Sequence, residues 1–114
     1  MAIQAPEALP QLEKIDTYKA YQAREGIPVH QGFGVEDIKT VELGPWARRG
    51  GRGAFVDLDG NGGINDAYVC EIPPGGALTA QRQLYEEMIY VVAGNGSTSV
   101  WHRGHSGGIC RWPQ

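Results

Sequence analysis

Residues 73–101 read PPGGALTAQRQLYEEMIYVVAGNGSTSVW, and the fold turns on how that run is parsed. Pro74-Gly75 makes a tight turn, because proline presets one backbone dihedral and glycine accepts the unusual one that follows. Strands are expected over 78–83 and 87–93, then a Gly94-Asn95-Gly96 break, then another strand over 97–102. Gln81 and Gln83 stand two apart, so on a strand their side chains share one face. Glu86 and Glu87 are neighbours, so only one of them points inward. The spacing from Gln83 selects Glu87, with a plain strand-opening pair as the competing reading.

The same texture extends towards the N-terminus. Strands are expected over 29–35, 40–46, 53–58 and 67–72, the last with Tyr68, Cys70 and Ile72 on one face. The breaks are Gly44-Pro45 and the glycine-rich stretches 48–53, 59–63 and 73–76. Short strands about 10 residues apart with such breaks suggest a sandwich or barrel. Before them, a helix is expected over 17–25. Asp16 or Thr17 caps it, Tyr18 and Tyr21 share a face, and Gly26 and Pro28 stop it. Residues 1–15 read as an extended arm and 102–114, HRGHSGGICRWPQ after the last alternating run, as an irregular tail. One domain over 16–101 remains.

Composition agrees with a small β protein. The chain has 114 residues with 17 glycines and seven prolines, and glycine averages only about 7% in proteins. The net charge of −3 disfavours nucleic acid, whose partners carry a basic surface. No apolar run approaches the ~18 residues of a membrane span. There is no secretory-type N-terminal block, and the two cysteines, Cys70 and Cys110, make no disulfide framework. A cytoplasmic location is the expectation.

Pro74-Gly75, then five residues, Gln81, Arg82, Gln83, three more residues, Glu87, six more and Gly94 resemble the first conserved motif of the cupin superfamily. That motif carries two histidines where this chain has Gln81 and Gln83. Residues 41–46, 48–53 and 65–72 also resemble the N-terminal part of large bacterial two-cupin-domain proteins, so the likeness runs from about 15 to 101. It implies an all-β fold, a cupin-type antiparallel barrel (double-stranded β-helix) that is C-terminally incomplete, with a short N-terminal helix. It also implies that Gln81, Gln83 and Glu87 occupy metal-ligand positions, with Arg82 and Tyr90 in the ligand cavity. Family members hold Fe, Mn, Ni or Zn there, and imidazole and carboxylate suit those ions. An amide oxygen is a weaker, neutral ligand, so the site is expected to be degenerate and no cofactor is expected.

Other signals compete. Asp57, Asp59, Asn61, Gly62 and Ile64 follow the start of a calcium-binding loop, but position twelve is Tyr68 rather than glutamate and the flanks read as strands. A polar β-turn is the better account. Arg48, Arg49 and Arg52 among glycines suggest an RNA contact, a clamp on a ligand phosphate or carboxylate, or simply a solvated loop. His102, His105 and Cys110 offer three zinc donors without a fourth, and His30 reads as a hydrogen-bonded strand residue. Two functions stand. The first is a non-catalytic cupin-like domain binding a small molecule or nothing. The second is a metal-dependent oxygenase or isomerase using Glu87. A chain this short has a thin core, and a barrel halted at Trp101 leaves open edges, so a homodimer is expected.

Overall fold

The computed structural model describes residues 16–112. The expected arm at 1–15 lies outside the described residues. The architecture is mostly strand with one short helix. Helix α1 spans Thr17–Glu25, as its sequence dictates: the Asp16 carboxylate accepts from the Tyr18 and Lys19 amides, and Gly26 ends it with φ of 70°.

Six strands follow: β1 (Val29–Gly32), β2 (Gly44–Trp46), β3 (Gly51–Leu58), β4 (Ala67–Glu71), β5 (Gly96–His102) and β6 (His105–Trp112). The sheet is built around β3. Its partner β4 runs antiparallel along 52–56, while β2 pairs antiparallel with 51–53 and β1 parallel with 55–58. A strand has two edges, so β1 and β2 share the one that β4 leaves. Residues 53–57 of β3 are consequently all buried, and the run Ala54-Phe55-Val56 has the apolar, β-branched character a central strand needs.

Phe55 is the centre of the core. Tyr18 and Tyr21 of α1 and Trp46 of β2 meet it edge-on at 6.4, 5.7 and 5.6 Å between ring centres, and Tyr68 of β4 meets Trp46 at 5.6 Å. Each such pair contributes about 0.5–1.5 kcal/mol beyond the area it buries. The helix is also docked by polar groups. Buried Asp57 accepts from Lys19 Nζ and from buried Gln22 Nε2, both at 2.5 Å. Removing either partner leaves a buried charge under-compensated.

Several boundaries differ from expectation. The expected strand at 29–35 stops at Gly32, because its register partner Leu58 is the last residue of β3. The one at 40–46 keeps only Gly44–Trp46, since the Asp37 side chain caps a 3-10 turn over Ile38–Thr40. Residues 78–83 and 87–93 form no strand at all. A single backbone bond from the Thr79 amide to the Arg49 carbonyl ties that segment to the sheet, and alternation alone cannot make a strand without an edge to pair with.

The C-terminal expectation also changes. Residues 102–114 read from the sequence as an irregular tail, yet His105–Trp112 pairs antiparallel with β5, with Arg103-Gly104 as the two-residue turn, and 113–114 lie outside the described residues. Trp112 covers Gly96, and its indole donates to the Thr98 hydroxyl at 3.1 Å. The four-stranded sheet and this two-stranded one are not closed into a barrel among the described residues.

Candidate ligand-binding site

Arg48, in the turn between β2 and β3, organises the polar groups beside the aromatic core. Its Nε donates to Glu25 Oε1, and its Nη2 donates to the Tyr21 hydroxyl at 3.1 Å and to Gln81 Oε1 at 3.4 Å. Tyr21 and Glu25 are four apart on α1, so one helical face delivers both. The guanidinium carbon lies 5.9 Å from the centres of both the Tyr21 and Trp46 rings, within cation–π range.

Electrostatics follow from this crowding. Burial acts against the Arg48 charge, but the Glu25 carboxylate and Tyr21 outweigh it and hold the guanidinium above its ordinary pKa. The Tyr21 phenol is pushed up by burial and then by Glu25. Tyr18 reaches about 12, through burial first and then the charges of Asp66 and Asp57. Cys70 is raised by burial, with Arg49 opposing. These tyrosines are neutral hydrogen-bonding groups at ordinary pH.

The residues singled out by spacing, Gln81, Gln83 and Glu87, meet this cluster in part. Gln81 Nε2 donates to Gln83 Oε1 at 2.8 Å, so the two glutamines do share a side, and Gln81 continues to Arg48. Glu87 accepts instead from the Tyr68 hydroxyl. Arg82 and Tyr90 are exposed, Tyr90 at 86%. Among the described residues no group of three His, Cys, Asp or Glu side chains is placed to hold a metal ion. The sequence offers Arg48 as one of three arginines that could clamp a ligand phosphate or carboxylate, whereas Tyr21, Glu25 and Tyr68 are not singled out as site residues by spacing. The i, i+4 pair Tyr21–Glu25 was the available signal, but only the docking of α1 connects it with Arg48.

The competing sequence signals disperse. Asp57 is taken by α1, Asp59 accepts from Gln31 at 3.2 Å, and Asn61 closes its own turn through Gly63 and Asn65. The calcium-loop donors therefore serve three separate local contacts. Arg49 donates to the Thr79 carbonyl, and Arg52 to the Leu43 carbonyl at 2.9 Å, so the arginines near glycine are internal clamps. His102 pairs with His105 at the hairpin turn, whereas Cys110 sits opposite Thr98. Five residues of strand, roughly 17 Å, separate Cys110 from His105. His30 bonds through Nε2 to the Glu42 carbonyl at 3.0 Å. Both cysteines are free thiols, and no helix among the described residues is long and apolar enough to cross a membrane. No family model, no curated protein and no solved structure matches the chain.

Proposed function

We propose that this chain is a cupin-like domain with a degenerate metal site, non-catalytic, which binds a small molecule against the wall formed by Tyr21, Arg48, Gln81 and Gln83. One observation carries the reading. The two glutamines at the metal-ligand positions are joined to each other and to Arg48, while Glu87 is joined to Tyr68. Side chains engaged in this way offer a transition metal only neutral amide oxygens and one carboxylate already in use. Polar groups beside aromatic faces are instead the ordinary make-up of a small-molecule site.

Metal analysis of the purified protein tests the proposal. Iron, manganese, nickel and zinc are expected at well below one equivalent, and Gln81→His with Gln83→His is expected to raise affinity for these ions, because imidazole is the better ligand. A stoichiometric metal that disappears in Glu87→Ala would sink it in favour of a metal-dependent oxygenase or isomerase. The proposal includes a homodimer, supported by the exposed apolar side chains of the C-terminal hairpin.

A further inference from the structure

The reading above leaves the ligand's chemistry open, and Arg48 narrows it. Its donor contacts go to Glu25, Tyr21 and Gln81, while Nη1 makes no hydrogen bond among the described residues. The Arg48 side chain is 42% exposed, so its free edge is reachable, while the Glu25 side chain that orients it is only 7% exposed. The 3.4 Å contact from Nη2 to Gln81 is long for a hydrogen bond and is the readily displaced one. We propose that the Nη1–Nη2 edge of Arg48 anchors a carboxylate-bearing small molecule whose apolar body lies beside the half-buried Tyr21 ring. This rests on the small-molecule reading of the same wall.

The geometry favours a carboxylate. A guanidinium edge with parallel N–H groups matches the two oxygens of a carboxylate and donates to them bidentately. Glu25 accepts from Nε on the other edge and so holds the plane of the fork. The neighbouring Arg49 and Arg52 lack this combination. Arg49 is 9% exposed and holds the Thr79 carbonyl, and Arg52 holds the Leu43 carbonyl and lies 3.9 Å from Glu71.

NMR titration of the intact chain with benzoate, benzamide and benzylamine tests the proposal. Benzoate is expected to bind saturably, with benzamide weaker by roughly tenfold or more, as loss of a charge-assisted hydrogen bond implies. Arg48→Lys should weaken benzoate by a similar factor, since lysine keeps the charge but loses the fork, while Arg103→Gln, in the exposed hairpin turn, leaves it unchanged. Should Arg48→Lys disturb folding, the Arg48 guanidinium signals of the unaltered chain serve instead: benzoate is expected to shift them saturably. Equal binding of benzoate and benzamide overturns the carboxylate anchor, as does indifference to Arg48→Lys or Arg48 guanidinium signals that stay in place at saturating benzoate. Preference for benzylamine overturns it too while leaving a small-molecule site standing, and a chain that binds none of the three probes overturns both readings.

Discussion

Gly53 shows how closely single positions are specified. It faces the Trp46 indole, and a Cβ added there would lie 2.9 Å from Trp46 Cζ3 and 2.9 Å from the Val69 carbonyl oxygen, with Trp46 Cε3 closer still. Neither the indole nor the β4 backbone can give way without opening the core around Phe55. Gly53→Ala is therefore expected to destabilise the fold by about 1–3 kcal/mol, the usual cost of overpacking, as read from urea midpoints. Tyr18 gives a pH prediction. Its pKa is raised from 10.0 to about 12, so the folded chain keeps a proton that the unfolded chain releases. That contribution is fully present below about pH 10 and is lost as pH rises towards 12. Tyr21 acts in the same direction. Urea midpoints should stay level up to about pH 10 and then fall, and Tyr18→Phe should make the fall shallower. An equally steep decline in Tyr18→Phe would refute this assignment.

Helix α1 is nine residues long, below the ~12–15 at which isolated helices become even marginal. It exists because its ends are capped and its face is docked. Asp16→Ala removes the acceptor of the Tyr18 and Lys19 amides and should cost about 1 kcal/mol. Because α1 also delivers Tyr21 and Glu25, the same change should loosen Arg48 and weaken benzoate binding. Denaturant curves and the titration of the variant measure both effects, and a stability loss with fully intact binding would separate the helix from the site. The β5–β6 hairpin has a different problem. A two-stranded ribbon is marginal by itself, and this one exposes Val100 at 65%, Trp101 at 61% and Ile109 at 68%.

Exposed apolar surface is the main feature of the molecule beyond β4. Residues 84–90 are all exposed, among them Leu84, Met88 at 94% and Tyr90. Contiguous apolar surface of this kind marks contact with another surface. Each strand of the hairpin also has one unpaired edge, which can extend the ladder with another strand. A second copy of the chain offers the same edges in complementary order about a twofold axis. The expected state is a homodimer, or a higher assembly, that covers Met88, Ile89 and the hairpin. Light scattering should give about twice the chain mass of 12.4 kDa, and Val100→Lys with Ile109→Lys should return it to one. A mass that stays at 12.4 kDa at high protein concentration would rule this assembly out.

What could be read from the residues alone was whatever local chemistry fixes. Asp16, Gly26 and Pro28 bounded α1 because caps and stops act within a turn of the helix. The glycine-broken apolar runs gave β1 to β5 in outline, because alternation and turn residues are local too. Arg103-Gly104, a two-residue turn, also lay in the sequence, but the polar composition beyond it concealed β6. Pairing is not local. Residues 78–83 and 87–93 alternate as strands do, yet they meet no free edge and stay unpaired, while His105–Trp112 alternates poorly and pairs because β5 lies opposite. The site follows the same rule. Arg48 meets Glu25 across 23 positions and Gln81 across 33, and nothing in the spacing of those residues encodes that meeting. It arises because Tyr18 and Tyr21 meet Phe55 edge-on and Asp57 holds Lys19 and Gln22. Together these contacts set the helix over the sheet and bring Glu25 to the turn that carries Arg48.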